Sequence, residues 1–209
     1  MKNRTRTRTR TRTRSLAVAG SAALLATLIG AAPAPAAPAA PKLAAVHGAA
    51  SVLYAYTPGD DIRFTVDAQA APFSKPLKIR GGERGLPVDA TGRVTVYHHS
   101  PGQNRTGVSE AAVDCLVTGK GTATVTATVT SSTVGWPEGK RIGVSVQDGE
   151  RGAPDRVGFS WDFFNLDVKP DGSAAETVVG LCMAPAPFTT ATKGGFKVTS
   201  APLPPLPKP

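Results

Sequence analysis

The sequence predicts one all-β domain. The expected form is an antiparallel β-sandwich of the immunoglobulin-like or jelly-roll-like kind, or a partly open barrel of seven to eight strands. Three observations carry that reading. Segment after segment alternates apolar and polar residues with period two, the spacing of a half-buried strand. Gly-, Pro- and Asp-rich turns punctuate the segments. No convincing amphipathic helix occurs between them, residues 110–114 and 174–179 being the only places open to a helical turn. The strand–helix alternation that builds parallel sheets is therefore missing, and the apolar faces must cover one another.

The chain begins with Lys2 and six arginines alternating with threonine, up to Arg14. An uncharged, small and apolar run follows over residues 15–32. A basic segment, then an apolar segment, then Ala-x-Ala sequence is the order of a secretory signal peptide, and the small residues Ala34 and Ala36 place the cut after Ala36. With no Arg-Arg pair ahead of the apolar run, the general secretory route is expected rather than the twin-arginine one. No later run has the ~18 apolar residues of a membrane span. The formal charge of +9 invites a nucleic-acid partner, but most of it lies in this leader. Without the leader's seven charges, 17 basic side chains face 15 acidic ones, scattered along the chain. That distribution gives no clustered basic surface for phosphate, and nucleic acid is not expected as a partner. The predicted organisation is a signal peptide over 1–36, an Ala/Pro-rich linker over 37–50, the β domain over 51–199 and a Pro-rich solvated tail over 200–209.

Within the domain, residues 51–56 read as a short strand with Val52, Tyr54 and Tyr56 on one side, closed by the turn Thr57-Pro58-Gly59-Asp60. Residues 61–68 alternate cleanly, with Ile62, Phe64, Val66 and Ala68 against Asp61, Arg63, Thr65 and Asp67. Pro72, Pro76 and Gly81-Gly82 mark a long connection. The strand over 91–99 carries Val94 and Val96 on its apolar face and Arg93, Thr95 and Tyr97 on the other. Ala111, Val113, Cys115 and Val117 share a core-like side of the strand over 109–118. Gly119-Lys120-Gly121 turns this strand into the next, where Ala123, Val125, Ala127 and Val129 oppose a threonine row from Thr122 to Thr130 that suits a solvent-facing strand. After Gly135-Trp136-Pro137, residues 139–164 read as a hairpin. Its inner faces are Ile142, Val144 and Val146, then Val157, Phe159, Trp161 and Phe163. Residues 166–192 are irregular by pattern, and Phe196 and Val198 sit on a closing strand.

An exported chain with two cysteines is expected to oxidise them, so Cys115 and Cys182 are predicted to form a disulfide that staples the irregular region to the sheet.

The segments VTVYHHSP, AAVDCLVTG, GTATVTATVT, GKRIGVSVQDG, DRVGFSWDFF and CMAPAPF, with their spacing, resemble a group of small secreted actinobacterial proteins labelled repetin-like. The resemblance spans residues 52–196. It implies export and a β-rich extracellular fold, and brings no catalytic motif.

Few residues invite chemistry. His98 and His99 are adjacent on a strand and so face opposite sides, which makes a shared metal site awkward. Ser100 and Ser109 lie near them, yet no G-x-S-x-G or H-E-x-x-H pattern is present. Asp148, Glu150 and Asp155 form a loop set of hard oxygen ligands of the kind calcium takes, but the spacing is not that of an EF-hand and loop carboxylates more often pair with neighbours such as Arg151 and Arg156, so no cofactor is the first expectation and calcium the alternative. Trp136 in its Gly-Trp-Pro turn, together with outward-facing Tyr97, is the candidate contact surface for a cell-wall, glycan or protein partner. These readings point first to a non-catalytic extracellular protein with a structural or binding role. A small secreted hydrolase and a calcium-stabilised module are the alternatives.

Overall fold

The structure, a computed structural model, describes residues 42–207. The expected signal peptide over 1–36 and the first residues of the linker lie outside the described residues. Ten strands are present among the described residues: β1 Ala45–Leu53, β2 Asp61–Ala70, β3 Ala90–Ser100, β4 Arg105–Gly119, β5 Thr122–Ser132, β6 Arg141–Gln147, β7 Arg156–Phe159, β8 Leu166–Val168, β9 Ala174–Glu176 and β10 Thr189–Thr199. The first seven form an antiparallel meander. β10 then pairs with both β7 and β1 and closes a barrel in the order β1-β10-β7-β6-β5-β4-β3-β2, while β8 and β9 make a separate hairpin.

The all-β class and the antiparallel pairing agree with the sequence reading. The architecture is an eight-stranded barrel, as the barrel alternative expected in strand number but closed rather than partly open, and it stands in place of the expected sandwich. Two features favour closure. Interior positions carry small side chains, among them Ala50, Ala68, Ala90, Ala111, Ala123 and Ala127, so one sheet can curl tightly upon itself. Register shifts in β1 at Ser51/Val52 and in the β4–β5 pair at Glu110/Ala111 and Val113/Cys115 bend the strands. Gly48, with φ +148°, permits the closest approach, because a Cβ there would stand 2.2 Å from the carbonyl oxygen of Gly195. Val46, Phe64, Val66, Val125, Val146 and Val157 are fully buried inside, whereas Arg63, Thr65 and Asp67 of β2 are exposed outside. An apolar interior with a charged exterior is the inverse of a membrane-spanning barrel.

Three boundaries shift. β1 starts at Ala45, so residues 45–50 belong to the barrel and not to the expected linker. The alternation there is muted because Ala and Gly occupy most positions. Hydrogen-bonded neighbours on both sides, β2 and β10, supply the order that the side chains do not advertise. At the other terminus the Pro-rich segment is not wholly free. Ser200 Oγ donates to the Gly119 carbonyl, the Ala201 N–H donates to Thr118 Oγ1 at 3.2 Å, and residues 200–205 cross the barrel end beside Pro72, Pro87 and Leu116. Finally, β7 stops at Phe159, so Phe163 does not join the core face and is 64% exposed. Asp162 takes a left-handed φ of 61° that turns the chain, and Phe164 packs inward instead.

The bulge at Asp114 changes the reading of β4. Val113 pairs with Ala127 but Cys115 pairs with Thr126, so beyond the bulge Leu116 points inward and Cys115 turns to the outer side. Cys115 is nevertheless fully buried, because the connection between β9 and β10 lies over it. There the Cys115–Cys182 disulfide forms as expected, with a Cα–Cα distance of 5.5 Å. Thr126, expected to face solvent, is buried beneath the same segment. Its Oγ1 donates to Asp114 at 2.5 Å and accepts the Cys182 N–H at 3.1 Å. Arg141 Nε completes the Asp114 carboxylate at 2.8 Å. The overlying segment lies flat because Gly143 and Gly158 face it: a Cβ at Gly143 would be 2.1 Å from the Met183 carbonyl oxygen, and one at Gly158 would be 2.5 Å from that of Ala186.

Replacing both cysteines by alanine removes a cross-link spanning 67 residues. The chain-entropy argument assigns a loop of that size about 4 kcal/mol. The variant is expected to lose roughly that much in a denaturant titration, and an unchanged midpoint would show that the connection is held by packing alone.

Candidate functional site at the mouth of the barrel

The turns β1–β2, β3–β4 and β5–β6 meet at one end of the barrel, and the chain leaves β7 at the same end. Between them opens a cavity of about 360 Å³. Its floor is an aromatic stack. Phe64 from β2 lies 5.7 Å from Phe159 and 5.9 Å from Trp161, and Phe159 lies 4.6 Å from Trp161, all with rings within 29° of parallel. Trp136 meets Trp161 edge-on at 5.1 Å and makes a corner with it. Tyr54, the residue after β1, meets Phe159 edge-on at 5.4 Å and donates its hydroxyl to Asp162 at 3.0 Å. Such edge-on and offset pairs add to the gain from burying the rings and hold them in fixed orientations.

Polar groups are placed around this floor in pairs. His98, two residues beyond Val96 on the inner side of β3, donates Nε2–H to Asp60 at 2.7 Å. Lys140 bonds Glu176 of β9 at 2.8 Å and holds its ammonium 5.1 Å from the centre of the Trp136 ring. Ser109 is buried in the same wall, with its Oγ 2.8 Å from that of Ser132. The Thr57 hydroxyl lies close to Asp60 and helps stabilise that carboxylate.

The residues singled out in the sequence fall in different places. Trp136 lines the cavity. Tyr97 does not join it; its ring lies under the Arg63 guanidinium at 4.5 Å on the outside of the barrel. His98 and His99 do face opposite sides, His98 toward the cavity and His99 toward Thr106 Oγ1 at 2.9 Å. The three carboxylates of residues 148–155 are directed to separate partners. Asp148 accepts from Lys197 and from the Val198 N–H, Glu150 pairs with Lys120, and Asp155 accepts the N–H groups of Gly149 and Phe196. Among the described residues, no group of three or more His, Cys, Asp or Glu is placed to hold a metal ion.

Tyr54, Asp60, Lys140, Trp161, Asp162 and Glu176 belong to the mouth without having been expected there. Trp161 had a signal, since it continues the apolar side of β7, but the same signal reads as core. Glu176 had none, because β9 reaches the mouth only through the fold of a connection that is irregular in pattern. No family model, curated protein or solved structure matches the chain. A disulfide fits an extracellular compartment. No helix among the described residues is long and apolar enough to cross a membrane.

Two titrations report on the mouth. Burial, reinforced by the hydrogen bond to Asp162, pushes the Tyr54 hydroxyl up to about 12 from its ordinary value of 10.0. The folded state therefore holds this proton more tightly than the unfolded chain, so Tyr54's contribution to stability is intact below pH 10 and drains away as pH rises toward 12. In an ultraviolet alkaline titration one tyrosine is expected to ionise at about pH 12, and Tyr54→Phe should remove that last step. An early, complete titration of every tyrosine would contradict the buried bond.

The hydrogen bond from His98 holds the Asp60 carboxyl below the ordinary value of 3.8. Its contribution is present above that value and is lost as pH falls through the lowered one. Acid unfolding curves of wild type and Asp60→Asn should separate near neutrality and converge in strong acid. Parallel curves down to the lowest pH would remove Asp60 from the account.

Proposed function

We propose that this chain is an exported, non-catalytic binding protein whose barrel mouth takes a small ligand. One observation carries the reading: a cavity of about 360 Å³ combines a rigid aromatic floor with a few polar side chains at its rim. Small-molecule sites have that composition, apolar walls supplying affinity and sparse polar groups supplying orientation. Export is supported by the basic-then-apolar leader over 1–36 and by the disulfide, which an oxidising compartment preserves. A cell-peripheral protein of this kind meets its ligand outside the cytoplasm.

Hydrolysis is the second reading, favoured by His98, which Asp60 holds from behind, sharing the cavity with Ser109. A serine nucleophile needs a base within hydrogen-bond reach. Here His98 Nε2 is engaged by Asp60 and the Ser109 hydroxyl by Ser132. Binding therefore takes precedence over catalysis.

The neutral fluorophore N-phenyl-1-naphthylamine tests the binding reading. It should brighten on adding the protein and quench the tryptophan emission. Trp136→Ala and Trp161→Ala should each weaken its affinity by about tenfold. A probe that stays dark, or variants that bind as well as wild type, would move the binding function away from the mouth.

A further inference from the structure

The polar pairs at the mouth leave an imbalance of charge. Two carboxylates line the cavity, Asp162 and Glu176, while Asp60 stands behind His98 and pairs with it. Lys140 serves Glu176. Among the described residues Asp162 has no basic partner, and it accepts the hydrogen bond of the neutral, tightly protonated Tyr54 hydroxyl. Asp162 directly follows Trp161, so this carboxylate sits at the edge of the corner made by Trp136 and Trp161. Electron-rich ring faces beside an uncompensated anion attract a cation and leave an anion or a neutral molecule no comparable gain.

The chain itself demonstrates the preference. Lys140 lays its ammonium 5.1 Å from the Trp136 ring centre while Glu176 binds it at 2.8 Å. An ammonium held between an indole and a carboxylate is thus already realised on one side of the corner. The other side offers Trp161 and Asp162.

We infer that the mouth recognises a small organic ammonium, held between the indole corner and Asp162, with Lys140 as the chain's own occupant of the adjoining position. The inference rests on the binding reading above and names the ligand class for it. Specificity follows from the geometry: the rings contact the carbon skeleton and Asp162 neutralises the charge. A uronate or other anion would meet the carboxylates of Asp162 and Glu176, and a plain sugar would forgo the attraction to Asp162. The Lys140–Glu176 pair also ties the β8–β9 hairpin to the rim, so a ligand ammonium that takes the position of Lys140 would release that tie.

The test is displacement of N-phenyl-1-naphthylamine from the disulfide-bonded protein. Choline and benzylammonium are the cationic competitors, 3,3-dimethylbutan-1-ol and benzyl alcohol their neutral counterparts of matched shape, and N-acetylglucosamine the sugar. Each cation should compete about tenfold better than its neutral counterpart. Asp162→Asn, which keeps an acceptor for Tyr54, should abolish that ratio while leaving the fluorophore bound. Lys140→Met should strengthen the cations about threefold by freeing Glu176 and the Trp136 face. A site in which these residues are merely structural would weaken cations and neutral molecules alike in both variants. Equal competition by cation and neutral partner, or displacement by N-acetylglucosamine alone, would overturn the ammonium class and leave the binding function standing. Failure of the fluorophore itself to bind would remove both.

Discussion

The two-sided pairing of β10 is the constraint on which the remaining structure depends. Without it β1 and β7 would be free edges, each presenting unpaired N–H and C=O groups, and the apolar face of the meander would need a second sheet to cover it. With it, the sheet covers itself. β10 aligns with β1 over nearly the whole length of both strands but meets β7 only at Thr189 and Thr190, so the seam against β7 is short. Asp155 reinforces that seam by accepting the Phe196 N–H from the loop just ahead of β7, and Thr189 Oγ1 does so by donating to the Val157 carbonyl at 2.7 Å.

To reach the seam, the chain must travel from the end of β7 across the outside of the barrel. That path explains several outward residues that would otherwise be unremarkable strand surface. Gly143 and Gly158 are bare where the connection crosses, Ser145 donates its hydroxyl to the Pro185 carbonyl, and Thr126 meets the backbone of Cys182. The disulfide anchors the last stretch of the crossing, onto a strand whose bulge at Asp114 has turned Cys115 outward to receive it. Bulge, disulfide and glycines act on one problem, the return of the chain to its starting edge.

The same crossing builds the mouth. Leaving β7, the chain contributes Trp161 and Asp162, then Glu176 as it returns past Lys140. Small aliphatic side chains make up most of the barrel core, and aromatic ones gather at the end where this cavity opens. Polar groups there are paired across elements, His98 with Asp60 and Lys140 with Glu176, which fixes the rim without filling it. Asp162 stands outside this pairing, and the ligand class proposed for the mouth follows from that difference.

The sequence by itself determined the all-β class, the inward faces of β2, β3, β5 and β6, the turns, and the partnership of Cys115 with Cys182. Each is a local property or an enumeration: period-two alternation depends only on neighbours along the strand, and two cysteines admit one intramolecular pair. Trp136 was legible as a residue of the candidate site because a large aromatic side chain in a tight turn has no strand face to bury it. Closure of the barrel, the outward turn of Cys115, the burial of Thr126 and the assembly of the mouth were decided only in three dimensions. A bulge leaves no mark in composition, yet it reverses the faces of every residue beyond it. Tyr54, Asp162 and Glu176 are distant in the chain and share a cavity only because β10 returns to the first strand, a pairing whose energy lies in backbone groups that every residue carries alike.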